Sequence, residues 1–216
     1  MRQIGSSQNI VICKESNMAS NIITISRQYG SGGREVGKKL ANILGYAYYD
    51  KEIINQAVDE SPISKELMEK NDENIGNSFS YYLSFTHGSN DDASLPLPDR
   101  VFMVQSKVIK ELAAEGPCVI IGRSADYILR DEPKLLKVLI YADMESRIDR
   151  VMERNNLTEK GAIARIKRID KGRALYYEQF TGNQWCDAFG HDISISTSKY
   201  GIDKTAEILA NIAHYE

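Results

Sequence analysis

The stretch Thr24-Ile25-Ser26-Arg27-Gln28-Tyr29-Gly30-Ser31-Gly32-Gly33-Arg34-Glu35 most constrains what this chain can become. It runs from a β-branched segment through a glycine-rich turn into helix-forming residues. A strand that enters a helix through such a turn leaves a cup of backbone N–H groups at the helix N-terminus. That cup suits an anion.

The rest of the chain repeats the alternation. Asn21–Ser26 reads as a buried first strand. Val36, Leu40, Ala41, Ile43 and Leu44 then fall at helical spacing, with Gly45 at the expected stop. Tyr46–Tyr49 predicts a short second strand ending at Asp50, and Lys51–Glu60 a helix. A second, more charged helix is expected over Pro62–Asn71, then a long loop over Gly76–Arg100 rich in Ser, Asn, Asp and Gly. Val101, Val104, Val108 and Leu112 mark a further helix, Cys118–Ile121 a continuous apolar strand ending at Gly122-Arg123, and Leu136–Tyr141 another. Helices follow over Met144–Asn155 and Glu159 to about Glu178, then a strand at Ile193–Ser196 and a helix over Ile202–His214.

Short apolar strands alternating with helices predict a parallel sheet covered on both faces. In such sheets ligands bind beyond the carboxyl ends of the strands. The glycine turn, Asp50 and Gly122-Arg123 all fall at such ends.

Composition narrows the function. The 216 residues carry a net charge of -3, so no general basic field argues for nucleic acid. Any anion site must be built locally from clustered Arg and Lys. Cys13, Cys118 and Cys186 are too widely spaced for a zinc motif or a disulfide framework, which fits a reducing cytoplasm. Cys118 reads as a core residue. Apolar runs of four or five residues are far short of a membrane span. Residues 1–20 read as a tail, with one domain expected over 21–216.

The usual phosphate loop is GxxxxGK[ST], and two registers fit. In one, Gly32 is the final glycine, Gly33 stands at the lysine position, Arg34 at the Ser/Thr position and Arg27 at the first glycine. In the other, Gly32–Gly37 spans the motif and Lys38 is the lysine. The second leaves little helix before Gly45 and strands Val36 in a loop, so the first is preferred.

A basic run follows: Arg147, Arg150, Arg154, Arg165, Arg168 and Arg173. Arginine binds phosphate oxygens in pairs through its planar fork, and phosphoryl transfer needs such charge spread around aligned phosphates. Arg147, Arg150 and Arg154 share one helical face. Arg154 reads best as a solvated partner of neighbouring carboxylates. Trp185, Tyr176 and Tyr177 read as packing residues, with base stacking the lesser alternative. His191 reads as structural.

From Asn21 to about Ala210 the order of these features resembles the cytidylate kinase-like family, a divergent branch of the P-loop nucleoside-monophosphate kinases. The resemblance rests on ISRQYGSGGREVGKKLANILGYAYYD, VIIGR, YADMESRIDR, RIKRIDKGR and HDISIST. It implies a P-loop three-layer α/β/α fold with a parallel sheet, a monophosphate-binding flap within 60–100 and a helical lid within 155–179.

The resemblance implies ATP and Mg²⁺, and transfer of the ATP γ-phosphoryl group to a nucleoside monophosphate, CMP or dCMP favoured. Gly30, Ser31, Gly32, Gly33, Arg34 and Glu35 would hold the donor phosphates, with Arg34 carrying the missing lysine's charge. Arg165 and Arg168 join Arg34 as candidate catalytic residues, and Arg147 and Arg150 as candidate ATP contacts from the lid. Asp50, Arg100, Gly122, Arg123, Asp170 and Arg173 are the candidate acceptor-binding residues. Ser124 stands where the family's GRD motif has Asp. Mg²⁺ would be held by ATP oxygens, water and Asp50. Two other readings keep the same site: a nucleotide-binding regulator without catalysis, and a kinase for another small acceptor. Partners are then small nucleotides, with neither nucleic acid nor membrane involved.

Overall fold

The computed structural model describes residues 21–60 and 97–214. Five strands form one parallel sheet: β1 (Ile22–Arg27), β2 (Ala47–Tyr49), β3 (Cys118–Ile121), β4 (Leu135–Tyr141) and β5 (Ile193–Ser196). The spatial order is β2-β3-β1-β4-β5. β1 is central, with Ile22 opposite Cys118 on one side and Leu135 on the other. Residues 22–26 and the whole of β3 are buried, as expected of strands covered on both faces.

The helices are α1 (Gly33–Leu44), α2 (Lys51–Glu60), α3 (Leu97–Ala114), α4 (Ala125–Ile128), α5 (Met144–Asn155), α6 (Glu159–Thr181) and α7 (Thr197–Ala213). Period-two alternation divides the sheet residues between two cores. Ile23, Ile25, Val119, Val138 and Ile140 pack with Val36, Leu40 and Leu209 from α1 and α7. Ile22, Cys118 and Ile120 pack with Ile54, Val104, Val108 and Ile109 from α2 and α3. Each of these large side chains, fully buried, contributes about 1.5–3 kcal/mol. The result is a three-layer α/β/α fold.

A third, small core joins the glycine turn to the arginine-bearing helices: Tyr29 packs with Val151, Ala162 and Ile166. Asp143 and Thr158 cap α5 and α6, each accepting a backbone N–H from the first turn.

The structure departs from sequence expectation in three places. The loop expected through Arg100 ends earlier, because α3 begins at Leu97. Pro98 is tolerated there, since first-turn N–H groups have no intrahelical partner. The single turn α4 went unpredicted. The last helix starts at Thr197, with a kink at Gly201 (φ 71°, ψ 173°) before the stretch expected from Ile202. The helix expected at 62–71, the bulk of the 60–100 flap and the tail lie outside the described residues. So does the side chain of Arg100, in the first turn of α3.

Among the described residues no helix is long and apolar enough to cross a membrane. The order β2-β3-β1 sets Asp50, Gly122-Arg123 and the glycine turn side by side at one edge of the sheet.

Candidate active site

The carbonyls of the turn between β1 and α1 are taken up by donors within the chain. Six consecutive carbonyl oxygens have donors elsewhere in the chain. Arg27 O accepts from Arg173 Nη1 (2.8 Å), Gln28 O from Ser31 Oγ (2.9 Å) and Tyr29 O from Arg147 Nε (2.8 Å). Gly30 O accepts from Arg150 Nη1 (2.5 Å), Ser31 O from Thr197 Oγ1 (2.6 Å) and Gly32 O from the Val36 amide (2.9 Å).

The amides behave oppositely. Among the described residues, those of Gly30, Gly32, Gly33, Arg34 and Glu35 make no backbone hydrogen bond outside the cleft. The last three belong to the first turn of α1, whose dipole adds positive character. Gly32 caps that helix at φ 77°, a left-handed conformation that favours glycine. Helix α1 begins at Gly33, so Lys38 and Lys39 lie in its second turn, exposed.

Three of the six carbonyl donors are arginines from the basic run. Arg147 is buried; besides Tyr29 O it pairs with Asp170 Oδ2. Asp170 Oδ1 accepts the Tyr29 amide at 2.8 Å. Arg147, Arg150 and Asp170 thus clamp the turn and line neither of the clefts described next. Ser31 is buried within the turn and is likewise absent from the cleft walls.

A cleft of about 320 Å³ lies over the amides, walled by Gly30, Gly32, Gly33, Arg34, Glu35, Asp50 and Arg154. Arg154, read from sequence as a solvated residue, faces this cleft and reaches Glu35 at 3.4 Å. The Arg34 guanidinium is 2.6 Å from Asp50 and 3.1 Å from Glu52, and its side chain is half exposed. Burial pushes the Asp50 carboxyl up, but hydrogen bonds from the Ile53 amide and Arg34 outweigh it and hold the carboxyl below its ordinary value.

A second cleft, of about 550 Å³, lies beyond β3. Its walls include Gly122, Arg123, Ser124, Arg165, Tyr176, Tyr177 and Trp185. All three aromatic residues expected to serve packing therefore also face a cavity. Tyr176 is fixed by Gln105 Nε2 (2.7 Å), and Tyr177 donates to Asp126 (2.6 Å). Arg165 donates from Nε to the Tyr29 hydroxyl at 3.0 Å. Arg168 is exposed and lines neither cleft.

Gly122, Arg123 and Ser124 all take left-handed backbone conformations, at φ 69°, 59° and 53°. For the two non-glycine residues this costs about 1–2 kcal/mol each, strain of the sort that aims side chains at a site. Arg123 Nη2 donates to Asn55 (2.6 Å), while its Nε is buried without a partner.

Arg27, Tyr29, Lys51, Glu52 and Arg173 line both clefts. Their cations crowd one another. Burial, then Arg173 and Arg123, lower the Arg27 guanidinium to about 9. Burial lowers Arg123 and Arg173 as well. Lys51 is lowered by burial, with Arg123, Arg173 and Arg27 adding to it against Glu52. A site that disfavours its own positive charges has room for a bound polyanion. Arg27 and Lys51 were not among the sequence candidates. Both follow from the same rule that selected Asp50 and Arg123, because Arg27 ends β1 and Lys51 follows the end of β2.

A parallel α/β sheet with a glycine loop after its central strand and a cationic cleft at its carboxyl edge defines a P-loop kinase-like fold. The family model for the cytidylate kinase-like family matches residues 22–199, and the chain belongs to that family. A cytidylate kinase from Methanopyrus kandleri is 26% identical over 199 residues, covering 88% of this chain and 91% of the relative. Among solved structures, an uncharacterized protein from Eubacterium ventriosum aligns with TM-score 0.69 at 25% identity, covering 90% of this chain and 99% of its own. A shikimate kinase from Bacteroides thetaiotaomicron shares the fold at TM-score 0.50 and 11% identity, over 90% of this chain and 98% of its own.

Proposed function

We propose that this chain transfers the γ-phosphoryl group of ATP to a nucleoside monophosphate, with CMP and dCMP favoured. The observation that carries this reading is the pair of adjoining clefts, one floored by unpartnered loop amides, that share a cationic wall. The start of α1 at Gly33 supports the register in which Gly33 stands at the lysine position. The cytidine preference draws its support from the Methanopyrus kandleri relative, named a cytidylate kinase.

In this reading the amides of Gly30 and Gly32 to Glu35 hold the donor phosphates, with Arg34 and Arg154 at the cleft mouth. Arg123, Lys51 and Arg173 hold the acceptor phosphate, and Arg165 approaches from α6. An acceptor phosphate oxygen forms the new bond to the γ-phosphorus. The bond from that phosphorus to the β–γ bridging oxygen breaks, and ADP leaves with the electron pair on that oxygen. A dianionic acceptor phosphate needs no base. The chain's work is to align the two phosphates and spread the charge of the transferring group.

Asp50 does not fit the role of Mg²⁺ ligand. Its Oδ1 accepts the Glu52 and Ile53 amides at 3.1 and 3.3 Å, and its Oδ2 faces Arg34. Among the described residues no group of three or more His, Cys, Asp or Glu gathers as a metal cage. A cytoplasmic location, where these nucleotides are plentiful, fits the reading.

The test is a coupled ADP-release assay over CMP, dCMP, UMP and non-nucleotide acceptors. The expected result is ATP turnover stimulated most by CMP or dCMP. Turnover only with a non-nucleotide acceptor, or nucleotide binding with no ADP formed by any of them, overturns the reading.

A further inference from the structure

We infer that Arg27, reaching over from the end of β1, supplies the positive charge that a loop lysine would supply from position 33, and contacts the phosphoryl group in transit. This rests on the phosphotransferase reading above.

Gly33 and Arg27 are packed too closely for a side chain at position 33. A Cβ built on Gly33 would lie 2.6 Å from Arg27 Cβ and 3.0 Å from its Cγ. Real Cβ atoms do not approach that closely, so a lysine cannot stand at position 33 while Arg27 keeps its course. At the far end of the same side chain, a Cβ on Gly122 would overlap Arg27 Nη1. Two glycines, one at the start of α1 and one at the end of β3, thus leave a slot, and the Arg27 side chain runs through it. Gly33 is therefore the complement of Arg27 and not simply a lost lysine.

Arg27 lines both clefts, at the boundary that a phosphoryl group must cross between donor and acceptor. Among the described residues Arg27 forms no ion pair, whereas Arg34 is engaged by Asp50 and Glu52, and Lys39 by Asp203. Burial first, then the neighbouring Arg173 and Arg123, lower the Arg27 guanidinium, and a bound anion would relieve both. During transfer from a nucleoside triphosphate to a monophosphate, negative charge lies on the three equatorial oxygens of the moving group. A planar guanidinium at the boundary pairs with two of them.

The test uses the full chain with Arg27→Gln, Arg27→Gly, Gly33→Lys and the double variant Arg27→Gly/Gly33→Lys. Removing one preorganised donor typically lowers kcat by about 10²–10³. Arg27→Gln should show a loss of that order, with acceptor KM changed far less and a cooperative thermal transition retained. Gly33→Lys alone should fold less stably, because its stem meets Arg27. In the double variant both clashing Arg27 atoms are gone and the next neighbour, Ile140 Cβ, is at an ordinary 3.5 Å. Its lysine should then restore kcat at least about tenfold over Arg27→Gly, on the same scale. Calorimetry with ATP separates this inference from the functional reading. If the wild type proves inactive toward every acceptor, the functional reading fails, yet Arg27→Gln should still weaken ATP binding about tenfold or more, the worth of a charge-assisted hydrogen bond. Folded Arg27→Gln with kcat near wild type, or with unchanged ATP affinity, overturns the inference. So does a double variant no more active than Arg27→Gly.

Discussion

Replacing Asp170 by alanine is expected to destabilise the folded chain by about 3 kcal/mol, the lower end of what an abandoned buried charge costs. The carboxylate is mostly buried and serves two elements at once. It pairs with the buried Arg147 guanidinium and accepts the Tyr29 amide in the glycine turn. Without it, Arg147 stays in its pocket with the Tyr29 carbonyl as its one partner among the described residues. The small core of Tyr29, Val151, Ala162 and Ile166 then holds the turn to α5 and α6 with its polar clamp broken. For a chain of this length the melting temperature should fall by about 6–12 °C. Differential scanning calorimetry of the ligand-free protein reads this directly. A residue that only contacted the acceptor would leave the ligand-free melting temperature in place and raise acceptor KM alone, and that pattern would contradict the clamp.

Replacing Arg123 by alanine should act the other way round. Its guanidinium stands at the wall of the second cleft, where Asn55 accepts from Nη2 and Tyr176 is a further hydrogen-bond partner. A charge-assisted hydrogen bond to phosphate is worth about 1.5–3 kcal/mol, so kcat/KM for the acceptor should fall about 10- to 100-fold. ATP affinity should change little, since Arg123 is absent from the wall over the loop amides. Initial-rate kinetics with each substrate varied in turn would check this. An equal loss for both substrates would mean that Arg123 serves the shared boundary and not the acceptor end.

Much of this architecture is written in local pattern. The apolar run Cys118–Ile121, the helical spacing in Lys51–Glu60 and the capped stretch Met144–Asn155 all form the elements expected of them. Period and capping are local properties, and these elements depend on little else. The single turn α4 is not of that sort. It exists because Gly122, Arg123 and Ser124 hold three left-handed conformations in succession, which no periodicity announces.

The surroundings of the candidate site residues are less local than the elements that carry them. Strand-end logic picks out the glycine turn, Asp50 and Arg123, and all of them line one of the two clefts. Which arginine faces the ligand and which holds the loop depends on how α5 and α6 dock against that turn. Arg147 and Arg150, expected as ATP contacts, donate in the structure to the loop carbonyls of Tyr29 and Gly30. Arg34 sits beside the lysine position in sequence and lines the same cleft, where it is paired with Asp50 and Glu52. Arg27 comes to lie against Gly33 and Gly122 only once the sheet order β2-β3-β1 is formed. Arg34 is the neighbour of Gly33 in sequence, and Arg27 is its neighbour in space.

The central claim is that the two clefts are one continuous site for a donor and an acceptor phosphate chain. Isothermal titration with adenosine and cytidine joined by five phosphates tests it most directly. Linking two ligands that occupy adjoining subsites raises affinity by about 10²–10⁴ over either alone. The expected result is one molecule bound per chain, at least about 100-fold tighter than ATP. Binding no tighter than ATP, or two molecules per chain, would contradict the account.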